Sequence, residues 1–68
     1  MPIITIEMVP QHYDKKAEIA KIFTEELSRI TGIPKEPIVV LFHDISPEHA
    51  SNGGEMLLEK FKREHSEQ

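Results

Sequence analysis

The sequence predicts an α/β (α+β) chain: a single β-α-β unit with parallel strands, a short C-terminal hairpin or helix, and a core completed by self-association. Three observations carry this. Two β-branched, apolar-rich stretches, residues 2–9 and 38–42, flank one long stretch in which the apolar period is 3.6 residues. Strand, helix and strand in that order imply a right-handed crossover, which leaves the two strands parallel. Finally, the chain has 68 residues and no cysteine. A core that small is thin on its own, and neither disulfides nor thiolate-held metal can reinforce it. One such unit is half of a ferredoxin-like sandwich; the second half must come from another copy.

The first strand is PIITIEMV, with Ile4, Ile6 and Met8 on one face and Ile3, Thr5 and Glu7 on the other. Pro2 heads it, a place where a missing N–H costs a ladder little, and Pro10 ends it. Asp14 is the expected N-cap of the helix. From Lys15 to about Thr31, Ile19, Phe23, Leu27 and Ile30 fall at i, i+4, i+8 and i+11, while Glu18, Lys21, Glu25 and Arg29 take the outer face. Gly32 suits the residue after the helix, and Pro34 forbids its continuation. Ile38 to Phe42 is an unbroken apolar run, the pattern of a strand covered on both faces. One helix covers only one face, so the other is expected to meet a second subunit. Turns follow at Ser46-Pro47 and at Asn52-Gly53-Gly54. Residues 55–64 can form a short helix or a hairpin arm, whose Met56, Leu57, Leu58 and Phe61 need a partner. Residues 60–68 are expected to fray, and residues 1–68 form one domain.

Composition excludes several functions. Eight Lys and Arg stand against twelve Asp and Glu, a net charge of −4, which argues against a nucleic-acid binder that needs a basic face. No apolar run approaches the roughly 18 residues of a membrane span, and no leader pattern precedes a cleavage site; a cytoplasmic protein with no membrane partner is the expectation. The histidines lack metal-ligand spacing: His43-Asp44 and Glu48-His49 are the tightest groupings, and no HExxH occurs. No metal and no cofactor are expected. A strand-end His43 next to Asp44 reads as an edge histidine with a hydrogen-bonded neighbour. Ser46 lacks the glycines of a nucleophile elbow, and SNGGE lacks the length and the Lys-Ser/Thr of a phosphate loop.

Pro2 after Met1 on a first strand, Asp14 opening the helix, Ser28-Arg29 near its end, Ile38-Val39-Val40 in the second strand and Gly53-Gly54 in the tail follow one another in a familiar order. In that order the chain resembles the 4-oxalocrotonate tautomerase family, over residues 2 to about 58. The resemblance implies the tautomerase sandwich, built as a dimer, trimer or hexamer with sites at subunit contacts. It also implies that Pro2, freed by removal of Met1, is a general base that moves a proton between carbons of a 2-oxo or dicarbonyl acid. A free α-amine titrates near pH ~8, and an apolar pocket disfavours its charged form, which suits a base working near neutrality. Three positions depart from the family pattern. His12 stands where an arginine usually holds a carboxylate, Val39 where a second arginine polarises the carbonyl, and Ala50 where an aromatic residue keeps the pocket apolar. Losing bidentate arginines alters carboxylate recognition. The expected site is therefore Pro2 as catalytic base, His12 and Lys16 attracting the substrate carboxylate, and Val9, Val39 and Ala50 lining an open apolar pocket. The substrate class is a small carboxylate or enolisable carbonyl compound. The rival expectation is a non-enzymatic oligomeric β-α-β module that kept the fold without the arginines.

Overall fold

The computed structural model describes residues 1–65. The β-α-β unit consists of β1 (Ile3–Met8), α1 (Tyr13–Thr31) and β2 (Val39–Asp44). The strands pair in parallel, in register from Ile3 opposite Val39 to Met8 opposite Asp44, as the crossover order requires. A single 3-10 turn (Pro47–His49) then leads to a hairpin of β3 (Ser51–Asn52) and β4 (Glu55–Met56), followed by α2 (Leu57–His65). Both options read for the tail are thus used, one after the other. The helix runs to His65, across the first part of the segment expected to fray; residues 66–68 lie outside the described residues.

The start of α1 differs from expectation in one detail. His12, in extended conformation, is the N-cap, and Asp14 lies inside the first turn. The reason is the hydrogen-bond ladder: the His12 carbonyl accepts from the N–H groups of Lys15 at 3.1 Å and Lys16 at 3.2 Å. Asp14 still places its charge near the positive end of the helix dipole. At the other end Gly32 adopts a left-handed conformation, φ 78°, and its N–H donates to the Ser28 carbonyl at 2.8 Å. Ser28 Oγ donates to the Ile33 carbonyl at 2.6 Å, fixing the exit from the helix.

Register assigns the two faces of the sheet. Ile4, Ile6, Met8, Val40, Phe42 and Asp44 share the face under α1. Ile3, Thr5, Glu7, Val39, Leu41 and His43 share the other. Along β1 half-buried and exposed residues alternate accordingly. The second face is open: Ile3 is 53% exposed and Leu41 42%, so the apolar run of β2 is covered on one side only. Ile38, 8% exposed, is the one buried hydrophobic residue among those described.

The arm formed by the 3-10 turn, the hairpin and α2 packs principally on itself. The result is an extended protomer. Its radius of gyration is 16.0 Å, against about 11 Å for a compact domain of this length. Its accessible surface of 5363 Å² exceeds the about 4,400 Å² of a monomer of its mass.

Candidate active site

Pro2 lies half-buried just ahead of β1, and its carbonyl accepts a hydrogen bond from the Val39 N–H at 2.9 Å. That bond fastens Pro2 to the head of β2. Met1 extends beyond it, 84% exposed. While Met1 is attached, the Pro2 nitrogen is a tertiary amide with no basic lone pair; after its removal the nitrogen is a secondary amine at the open edge of the sheet.

The other expected site residues divide into separate groups. Val39 is beside Pro2. Val9, His12 and Lys16 belong to the opposite end of the sheet, where β1 finishes and α1 begins. At about 3.3 Å per residue, β1 places roughly 20 Å between Pro2 and that end. Ala50 is in the arm: it follows the 3-10 turn, and its carbonyl accepts from the Leu57 N–H at 2.8 Å. A single protomer therefore does not bring His12 or Lys16 to its own Pro2, and no pocket forms among the described residues. Two strands under one helix supply a floor and no walls.

Lys16 is engaged by partners that composition and periodicity do not reveal. Its Nζ is 2.7 Å from Asp44 Oδ1 and 5.9 Å from the centre of the Phe42 ring. The parallel register explains both. It ends β2 beside the start of α1, with Asp44 and Phe42 on the helix face, so an ammonium in the first turns of α1 meets a carboxylate and an aromatic ring. His43 is on the opposite face, and its Nδ1 is 3.7 Å from Glu7 Oε1. Its neighbour is the cross-strand Glu7; alternation along the strand turns Asp44 to the other side.

This arrangement has counterparts. Residues 2–60 match the family model described as tautomerase enzyme. A probable tautomerase of Bacillus cereus is 34% identical over 61 residues, spanning 88% of this chain and 100% of the relative. The chain belongs to the tautomerase family. Among solved structures, a 4-oxalocrotonate tautomerase homologue superposes with a TM-score of 0.81 at 23% identity, covering 87% of this chain and 95% of that one. A heterohexamer 4-oxalocrotonate tautomerase from Chloroflexus aurantiacus J-10-fl gives 0.79 at 22% identity, covering 87% and 97%. These likenesses establish the tautomerase fold. Among the described residues, no helix is long and apolar enough to cross a membrane.

Proposed function

We propose that this family member is a tautomerase-like isomerase, which catalyses keto-enol or 1,3-proton transfer on a 2-oxo acid or related enolisable carbonyl compound. One observation carries the reading: Pro2 is fastened by its carbonyl to the head of β2, and the Met1 attached to its nitrogen is exposed. The family match also opens on this residue.

Once Met1 is removed, the neutral amine of Pro2 takes a proton from the carbon next to the substrate carbonyl. The electron pair of that C–H bond moves into the carbonyl, giving an enolate or dienolate, and the prolinium formed returns the proton to another carbon or to oxygen. Atoms and charge balance within one turnover, and no further reactant is consumed. Apolar cover from a neighbouring copy favours the neutral, basic form of the amine.

His12 and Lys16 attract the substrate carboxylate only if they come from a second copy, since roughly 20 Å of strand separates them from Pro2 in their own protomer. On this reading the site lies at a contact within a homo-oligomer, with Val9 and Ala50 of neighbouring copies as candidate walls. The heterohexameric neighbour and the uncovered sheet face support assembly.

The test is direct. Protein whose intact mass lacks Met1 is assayed for ketonisation of a 2-oxo acid enol, alongside Pro2→Ala and a form with Met1 retained. Turnover confined to the free-proline form supports the reading. Equal turnover in Pro2→Ala overturns it.

A further inference from the structure

We propose that Lys35 holds the carboxylate of the 2-oxo acid beside Pro2 of the same protomer. The inference rests on the reading of Pro2 as the base, and it supplies the cation that Val39 does not.

Parallel pairing puts the start of β2 at the Pro2 end of the sheet. There the segment 35–38 closes as a turn, the Ile38 N–H donating to the Lys35 carbonyl at 3.0 Å, and the next N–H, that of Val39, donates to the Pro2 carbonyl at 2.9 Å. Two successive hydrogen bonds thus connect the backbone of Lys35 to that of Pro2. Pro37 stiffens the turn by fixing its own φ. A turn closes its end residues to within about 7 Å, and paired strands lie about 4.8 Å apart. Lys35 Cα therefore falls within about 12 Å of Pro2. The flexible four-carbon stem of a lysine, followed by a carboxylate one bond from the carbonyl, covers that distance.

Within the same protomer the other cations are placed or occupied elsewhere. Lys16 pairs with Asp44 at the far end of the sheet. Arg29 is near the Pro2 end but pairs with Glu26 at 2.6 Å. Lys15 is in the first turn of α1, beside the far end, and Lys21 is halfway along the helix. Lys60, Lys62 and Arg63 are on α2 in the arm, and Arg63 pairs with Glu55. Among the described residues Lys35 has no ion-pair partner. Its neighbour Glu36, also exposed, repels a second carboxylate and so favours a substrate with one acidic group at this end.

The experiment uses the full chain with Met1 removed, and two probes: an aryl 2-oxo acid and its methyl ester. Lys35→Ala is expected to raise KM for the acid about tenfold, the scale of one charge-assisted hydrogen bond, with kcat little changed. Turnover of the ester should stay the same, and Lys35→Arg should restore the acid. A Lys35→Ala variant that treats acid and ester alike overturns the inference. Calorimetric binding of the acid, measured in parallel, separates this idea from the one beneath it. Binding that depends on Lys35 without turnover sustains Lys35 and sinks Pro2 as the base. Turnover indifferent to Lys35 does the reverse, and absence of both binding and turnover overturns the two together.

Discussion

At the scale of single residues, the proposed chemistry depends on what occupies the nitrogen of Pro2. Replacing Pro2 by Ala leaves a primary amine in altered geometry, and turnover is expected to fall at least ~100-fold, within the range of lost general-base catalysis. The same assay run against pH should show kcat/KM rising as the amine loses its proton and levelling off at or below the ~8 of an ordinary α-amine. A rate that falls as pH rises through that range would count against a neutral amine as the base. Lys16 gives a prediction of a different kind. Its ammonium is bonded to Asp44 and lies over Phe42, so Lys16→Ala is expected to cost about 1 kcal/mol of stability in urea denaturation, in keeping with partly exposed pairs. The proposed role of Pro2 is read from its position in the sequence, directly behind Met1. The Lys16–Asp44 pair was not, because it joins residues 28 apart in sequence, and only the strand register shows that they meet.

Among the elements, glycines mark the boundaries most clearly. Gly53 and Gly54 form the two-residue loop between β3 and β4 with φ of 60° and 89°, the double positive φ of a type I′ hairpin turn. Gly32 ends α1 at φ 78°, and a Cβ added there meets nothing within 4 Å. The cost of Gly32→Ala is therefore backbone strain with no clash, about 1 kcal/mol. Thermal or urea unfolding should register it without any change in turnover; an unchanged midpoint would mean the cap is dispensable. These turns and the long amphipathic helix were legible because each follows from local backbone preference and short-range periodicity. The start of α1 was less so. Asp14 is a better capping residue than His12 by side chain, yet the ladder begins at the His12 carbonyl. The tail was ambiguous for a related reason: its apolar residues suit a hairpin or a helix, and the structure divides them between both.

For the molecule as a whole, the decisive quantity is uncovered apolar surface. The protomer exposes about 1,000 Å² more than a compact monomer of its mass, an excess comparable to the ~800 Å² per partner of a standard interface. Ile3 and Leu41 on the open face of the sheet, and Phe23 and Ile30 along α1, are all more than 40% exposed. A core whose one buried hydrophobic residue among those described is Ile38 cannot offset the entropy of ordering this many residues. Folding and assembly should therefore be one transition, with an unfolding midpoint that rises with protein concentration. Leu41→Lys puts a charge at the centre of the open face, opposite Thr5 and between Val39 and His43 along β2. Burying that charge against a second copy without a partner is costly, so the variant is expected to sediment as dissociated, largely unfolded chain. Lys35→Ala, outside the sheet, should leave assembly intact, and so serves as the control that separates lost assembly from lost substrate binding. A wild-type protein that sediments as a folded 7.8 kDa monomer, with a midpoint independent of concentration, would overturn both the shared core and the placing of Pro2 at a subunit contact.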